Sequence, residues 1–347
     1  MSFLGTYLTP IITCRKKISF HYLSTKKVAF DANNVIYQFL ALIRQPNGQH
    51  FTDSTGRVTS HLMGVFYRIT RLAEYGILPV FVFDGEPHPL KLKEIEKRRE
   101  IKEKAEREWI EALFRGDLAT AWRKAVQTSR LTREMTQEVK ELLELMGLPW
   151  VQAPSDAEAQ AAYMAAKGEV YCTCSRDWDS LLYGSPRLVR YLTISGTEFL
   201  PSKGIMRPLE PEIIELNVLL DDLKITLEQL VDIAILVGTD FNEGVKGIGP
   251  KKALKLIKTY GNIENILKSG KIRLGEEYKE IREIFLKPKV TNNYRLEWRP
   301  PDKEGIIKFL CEERNFKRER VENAIRRLEK LSSYITQKKL SEWIHRK

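Results

Sequence analysis

The sequence predicts an α/β protein built on a central, mostly parallel sheet flanked by helices. Three observations carry that expectation. Short apolar runs alternate with amphipathic helical stretches through residues 27–190, the pattern of strands joined by helical crossovers. Two of those runs, ending at Phe30 and Phe83, are each followed at once by an acid, Asp31 and Asp84. Hydrophobic residues make up 43% of the 347, enough to bury a substantial core.

In chain order, Lys27–Phe30 reads as the first of these strands and residues 35–43 as an amphipathic helix bearing Tyr37. A polar loop, 45–56, precedes a helix over 58–75 and a strand over 79–83. Residues 91–107 hold almost no large apolar side chain and many interleaved bases and acids, and 117–133 continues in the same way. Such helices gain little from core packing and either bridge solvent or await a partner. A helix over 136–146 and a short strand over 149–152 return the chain to the core. Beyond residue 182, a hairpin is expected from Leu188–Ile194 with the turn at Gly196, then helices over 211–220 and 227–237. Two basic helices, 304–314 and 317–330, precede the tail.

Lys and Arg number 57 against 46 Asp and Glu, a net charge of +11. That balance favours a polyanionic partner, nucleic acid ahead of an anionic membrane, although basic surfaces also occur without one. The four cysteines (Cys14, Cys172, Cys174 and Cys311) form no CxxC and are too few for a disulfide framework, which points to reduced thiols inside a cell. The five histidines lack zinc spacing, and no apolar run reaches the length of a membrane span. Near the N-terminus the basic residues follow the apolar ones, the wrong order for a secretory signal. No phosphate-binding glycine loop of the GxxxxGK[ST] or GxGxxG type is present.

The stretch Ala153–Leu182 concentrates four acids. Asp156 and Glu158 open an alanine-rich helix; Asp177 and Asp179 follow a buried apolar run. Each acid alone reads more readily as a cap or a turn residue, and Ser155-x-x-Glu158 has the pattern of a capping box. In a parallel sheet, however, ligands gather beyond the carboxyl ends of the strands, which would bring Asp31, Asp84, Asp177 and Asp179 to one crevice. Clustered carboxylates repel one another unless a cation joins them. An all-oxygen donor set suits Mg²⁺ or Mn²⁺, and so many acids suit two ions roughly 4 Å apart, the arrangement used for phosphoryl displacement.

A second signal is independent. Gly247-Ile248-Gly249-Pro250-Lys251-Lys252 joins two helical segments, with Lys255 a turn further on. A glycine turn at a basic helix start can present backbone N–H groups to a phosphate, as in a helix-hairpin-helix reader of duplex backbone.

Taken together, these residues resemble the flap endonucleases of the structure-specific 5′-nuclease superfamily, most of all the archaeal members. The resemblance is carried by FDANNVIYQFL around Asp31, TSHLMGVFYR from Thr59, FVFDGEP around Asp84, APSDAEA, SRDWDSLLYG, and VGTDFNEGVKGIGPKKAL around Asp240. It implies a PIN-like nuclease core with a helical arch over 88–135, within a core of residues 27–190. A C-terminal part over 191–331 would contain the helix-hairpin-helix of 227–267, followed by a tail over 332–347. Residues 1–26 depart from the family's usual opening.

By motif position the resemblance implies two Mg²⁺ ions, with Mn²⁺ a plausible substitute. Asp31, Asp84, Asp156 and Glu158 would serve one, and Glu158, Asp177, Asp179 and Asp240 the other. Asp156 stands where the family usually has glutamate, leaving open whether it reaches metal directly or through water. Lys91 and Arg98 fall where the family contacts the scissile phosphate, and Tyr37 where an aromatic stacks on the neighbouring base. Thr59 and Arg68 would face the upstream duplex, and Gly247, Gly249, Lys251 and Lys252 the downstream duplex, with a K⁺ ion held nearby. Gln337, Leu340, Trp343 and Ile344 match the spacing of a sliding-clamp-binding motif. The expected protein is a monomeric, Mg²⁺-dependent endonuclease and 5′ exonuclease acting on 5′-flap DNA, cytoplasmic if archaeal. The alternatives are a relative acting on bubbles or four-way junctions, and a non-catalytic DNA-binding adaptor.

Overall fold

The computed structural model describes residues 6–193, 196–200 and 205–344, the side chains of 196–200, 205–208, 332–333 and 335–344 excepted. The fold is α/β with a mostly parallel sheet flanked by helices. The described residues form nine strands: β1 Lys16–Lys17, β2 Lys27–Asp31, β3 Leu78–Phe83, β4 Trp150–Gln152, β5 Cys172–Cys174, β6 Arg187–Arg190, β7 Gly196–Leu200, β8 Ile205–Leu209 and β9 Glu212–Glu215. The chain divides into two compact units, each assembled from three separate segments.

The first unit comprises residues 1–18, 84–94 and 152–293. Its strands run in the order β1-β9-β6-β5, with β5 and β6 parallel and β9 antiparallel to both β6 and β1. β7 and β8 form a separate antiparallel hairpin. Leu181, Leu182, Ile214, Leu230, Ile233 and Phe285 are almost fully buried in one apolar cluster. Each such side chain contributes about 1.5–3 kcal/mol relative to exposure. Beneath the basic hairpin, Arg282 ties three helices together, reaching Asp232 at 2.7 Å and Glu264 at 2.7 Å.

The second unit comprises residues 19–83, 95–151 and 294–347. Here β2 and β3 are parallel, Phe30 opposite Phe81, with their rings stacked 5.5 Å apart. Helices Ala32–Leu42 and Ser60–Glu74 cover them with Ile36, Phe66 and Ile69. His61, fully buried, meets Glu138 at 2.9 Å, and Arg314 donates to the other oxygen of Glu138 at 3.1 Å.

Helix Leu92–Phe114 buries only Ala105 and Ala112, in keeping with a sequence that offers no apolar face. What orders it and the following helix, Leu118–Gln127, is polar. Arg130 pairs with Glu106 at 3.0 Å, Lys124 pairs with Glu108, and Trp109 Nε1 donates to the Asn47 carbonyl at 3.2 Å. Arg44, buried, fixes the loop beneath by donating to the Leu40 and Gly48 carbonyls and to Ser129 Oγ, at 3.0, 2.7 and 3.0 Å.

Several expectations need correction. The helix expected over 211–220 is β9 followed by helix Leu216–Leu223. Ile213 and Ile214 are β-branched and pair with Val189 and Leu188, so an apolar pattern compatible with both periods is resolved by tertiary pairing. The hairpin expected around Gly196 is made by β7 and β8, while Leu188 and Val189 lie in β6 within the larger sheet. The helix expected over 304–314 is a short α-helix, Lys303–Ile307, widening into a π-helical turn, Lys308–Glu312. The last helix, Arg318–Ile344, extends beyond residue 330 to include the backbone of Gln337, Leu340, Trp343 and Ile344, whose side chains lie outside the described residues.

Candidate metal and nucleic-acid site

The first unit holds six of the predicted acids, and four of them, Asp84, Asp156, Asp179 and Asp240, interact electrostatically with Lys91. Asp84 follows β3 directly, and its Oδ1 accepts the Ala157 N–H at 2.7 Å. That contact requires Gly85: a Cβ there would lie 2.3 Å from the Ala153 carbonyl oxygen. Gly85 N–H in turn donates to the Ser155 carbonyl at 2.6 Å, so the turn after β3 is laced to the start of helix Ala157–Ala166. The capping box expected from Ser155 and Glu158 does not form. Asp156 is the N-cap residue and makes no side-chain cap, because its oxygens are engaged elsewhere. Asp156 Oδ1 accepts from Lys91 Nζ at 2.5 Å and Oδ2 from Tyr183 Oη at 2.6 Å. Glu158 Oε1 accepts from Ser180 Oγ at 3.2 Å instead of reaching back to the helix start.

Asp177 and Asp179 flank Trp178 at the start of the four-residue helix Asp179–Leu182. Asp179 is nearly buried, and its Oδ1 accepts the Thr6 backbone N–H at 3.1 Å. Trp178 Nε1 donates to Thr9 Oγ1 at 3.1 Å, and the Arg190 guanidinium lies 3.8 Å from the Trp178 ring centroid. Burial, together with repulsion from Asp179 and Asp240, pushes the Asp177 carboxyl up. Burial and Asp240 likewise raise Asp179, against the stabilising Thr6 N–H. Burial opposes charge on Lys91, but Asp156, Asp240 and Asp84 outweigh it and hold the ammonium charged. Burial and the neighbouring Asp156 raise Tyr183 well above an ordinary phenol, so its hydroxyl keeps the proton it donates.

These shifts describe an excess of negative charge that the Lys91 ammonium and, at Asp177, Arg176 and Arg190 offset in part. Among the described residues, no three His, Cys, Asp or Glu side chains stand as a ready ligand set. The donor chemistry nevertheless fits a hard divalent ion: carboxylate oxygens without sulfur or imidazole, mutually repelling, with a cation already drawn onto Asp156.

The remaining predicted residues belong to other parts of the chain. Asp31 lies in the second unit, where its Oδ1 caps helix Ala32–Leu42 by accepting the Asn34 N–H at 2.9 Å. In the same unit Lys102 Nζ sits 4.6 Å from the Tyr37 ring centroid, and Arg98 lies close enough to help depress the Lys102 ammonium, whose first cause is burial. Thr59 precedes helix Ser60–Glu74 as a buried residue that accepts no capping bond, and Arg68 lies on that helix, its guanidinium pulled down by burial. The hairpin between helices Leu227–Val237 and Pro250–Tyr260 lies in the first unit. Gly247 adopts φ +80°, which favours glycine, whereas Gly249 has φ −95° and open space where a Cβ would stand. No side chain caps the helix that begins at Pro250, and Lys251 is exposed on its first turn. Lys252 Nζ reaches the Gly247 carbonyl at 3.4 Å.

Sequence reasoning missed Thr6, Ser180 and Tyr183. A backbone N–H leaves no residue-type signal, and Thr6 lies 173 positions from its acceptor. Ser180 and Tyr183 sit inside SRDWDSLLYG, but only their contacts reveal a purpose.

The fold and this cluster define a nuclease of the XPG class: residues 6–105 match the XPG N-terminal domain and residues 147–240 the XPG I-region. The first match begins at Thr6 and so takes in most of the segment ahead of Lys27. The sequence is 51% identical to flap endonuclease 1 of Pyrococcus furiosus over 333 residues, 96% of this chain and 97% of that relative. The solved structure of flap endonuclease-1 from Methanococcus jannaschii superposes with a TM-score of 0.76 at 46% identity, covering 95% of this chain and 99% of that one. The catalytic core of Rad2 in complex with DNA substrate shares the fold at 23% identity, with a TM-score of 0.72 over 94% of this chain and 100% of that one. The chain belongs to the flap endonuclease 1 family of nucleases. Among the described residues, no helix is long and apolar enough to cross a membrane.

Proposed function

We propose that this protein is a structure-specific endonuclease that cuts 5′ flaps at single-strand/duplex junctions, with 5′-to-3′ exonuclease action, in DNA replication and repair. The observation that carries the reading is the group of acids packed around Lys91 and Asp156 on a chain of net charge +11. Bases attract the strand, and an acid cluster supplies what a phosphodiester hydrolase needs to hold Mg²⁺ or Mn²⁺.

Asp84, Asp156, Glu158, Asp177, Asp179 and Asp240 are the proposed ligands from the first unit, with Asp31 added on motif position alone. Two divalent ions bound there would lower the pKa of a water and neutralise charge developing on the phosphate and the leaving oxygen. The chain's own part is positioning. Thr6 N–H fixes Asp179, Ser180 fixes Glu158, and Ala157 N–H fixes Asp84. Lys91, held on Asp156 in the structure, would turn to the scissile phosphate when substrate arrives and stabilise its oxygens there. Arg98 would add a second cation and Tyr37 a stacking face for the adjacent base; both assignments follow from motif position.

The glycine hairpin supports duplex binding. Gly249 needs no unusual backbone and meets no neighbour, so its lack of a side chain is best understood as room for a phosphate. Lys251 and Lys252 add charge without reading sequence, and a K⁺ ion on the hairpin carbonyls would extend the same contact. Thr59 and Arg68 are proposed for the upstream duplex. The tail residues Gln337, Leu340, Trp343 and Ile344 are proposed to dock a PCNA-type sliding clamp; removing residues 337–347 would abolish stimulation by the clamp and spare basal cleavage. The protein is proposed to act as a monomer inside the cell.

A 5′-labelled double-flap DNA tests the activity. Folded protein with Mg²⁺ should release the flap as one main product, and EDTA should stop the release. Absence of cleavage with Mg²⁺ or Mn²⁺ would sink the enzymatic reading and leave a DNA-binding adaptor.

A further inference from the structure

We infer that Tyr183 is a positioning residue that holds Asp156 in its metal-ligating orientation. This inference rests on the metal-dependent reading proposed above. Tyr183 Oη donates to Asp156 Oδ2 at 2.6 Å, while Lys91 occupies Oδ1 at 2.5 Å. The two donors differ in kind. The ammonium cancels the charge that a metal would use and has a substrate phosphate to leave for. The phenol is neutral, so it restrains the carboxylate without competing for its charge.

The ring is itself held. Its centroid lies 4.9 Å from that of Phe285, and Phe285 packs edge-on against Phe241 at 5.4 Å. Phe285 is almost fully buried in the apolar cluster of the first unit, so the hydroxyl is carried on a well-packed support. Tyr183 also closes helix Asp179–Leu182 as its C-cap. One short turn therefore provides a ligand at its first residue, the hydroxyl on Glu158 at its second, and the hydroxyl on Asp156 at its end. An aspartate at position 156 brings its oxygens one methylene less far than the glutamate that the motif leads one to expect. A carboxylate with shorter reach depends more on being aimed, and the tyrosine aims it. Donors behind metal-ligating groups typically contribute about 10- to 100-fold in metal affinity.

The test uses the full-length chain carrying Tyr183→Phe, Asp156→Glu, or both, with Mg²⁺ and Mn²⁺ binding measured by calorimetry without DNA. Tyr183→Phe should weaken metal binding about tenfold. It should also lower kcat for flap cleavage at subsaturating metal while leaving KM for DNA unchanged. Asp156→Glu alone should also weaken binding, because the Tyr183 hydroxyl, 2.6 Å from the aspartate oxygen, crowds the longer side chain. The double variant should return to within about threefold of the unaltered protein, since a glutamate reaches the ion without the phenol. Metal affinity unchanged by Tyr183→Phe, or a double variant showing the product of the two single losses, would overturn the inference. Should Tyr183→Phe not fold, Asp156→Glu decides: weakened binding supports the inference, and unchanged or tighter binding overturns it. Failure of the unaltered protein to bind either metal would instead overturn the parent reading.

Discussion

Lys91 Nζ lies 2.5 Å from Asp156 Oδ1, an ion pair joining the start of the polar helical segment to the N-cap of the helix that bears Glu158. The Lys91 side chain is only 20% exposed, and Asp84 and Asp240 add to the field around it. Removing this cation takes from Asp156 and its neighbouring carboxylates the ammonium that offsets their repulsion. Lys91→Met should therefore lower stability in EDTA by about 2 kcal/mol, between the values for exposed and buried pairs. It should also enlarge the stabilisation gained on adding Mg²⁺, because a competitor for Asp156 is gone. Thermal unfolding in EDTA and in Mg²⁺ checks both signs, and flap cleavage should fall about 100-fold or more through loss of the phosphate contact.

Asp177→Asn should have the opposite effect on stability. Burial, Asp179 and Asp240 all oppose the Asp177 charge, so a neutral side chain of the same shape relieves repulsion. The variant should melt higher than the unaltered protein in EDTA, bind flap DNA with near-normal affinity, and fail to cleave it. Near-normal turnover would remove Asp177 from the proposed site.

The two hairpin glycines should separate folding from binding. Gly249→Ala introduces no strain at φ −95° and meets no neighbour, so stability should change by less than about 0.5 kcal/mol. Gly247→Ala forces a side chain into φ +80° and should cost about 1–2 kcal/mol. Duplex affinity should fall for Gly249→Ala despite its intact fold, as measured by fluorescence anisotropy. Replacing Lys251 by Ala should lower the slope of log affinity against log salt by about one.

A pH effect is expected away from the acids. Burial, Arg44 and His61 lower His50 from 6.5 to about 4, and its Nδ1 is buried without a hydrogen-bond partner. Between those values the unfolded chain binds the proton and the folded chain does not. The contribution of His50 to stability should therefore be full above pH 6.5 and decline as the pH falls toward 4. His50→Gln should flatten that part of the profile, read as the difference between the two proteins' thermal midpoints at pH 7 and pH 5.

Much of the α/β order is legible in the sequence because each long apolar run has one period. The apolar runs of Lys27–Asp31 and Leu78–Phe83 each stop at an acid, Asp31 and Asp84, and helix Ser60–Glu74 is strongly two-faced. What escapes prediction depends on distant partners. Ile213 and Ile214 become a strand because Leu188 and Val189 offer an edge, and no local pattern announces that. The acids themselves are conspicuous on a basic chain, but the groups that aim them are not. A serine, a tyrosine and the N–H of Thr6 are chemically ordinary until their contacts are known. The Ser155–Glu158 pattern misleads for the same reason: the local bond is available, but Ser180 outcompetes it for Glu158.

The most direct measurement is anomalous X-ray diffraction from crystals of the full-length protein grown with Mn²⁺. Two anomalous peaks roughly 4 Å apart should appear among the named carboxylates. Lys91 should then stand away from Asp156, while Tyr183 remains on Oδ2. Crystals that contain Mn²⁺ elsewhere but show no peak at these acids, with Lys91 still on Asp156, would contradict the two-metal reading.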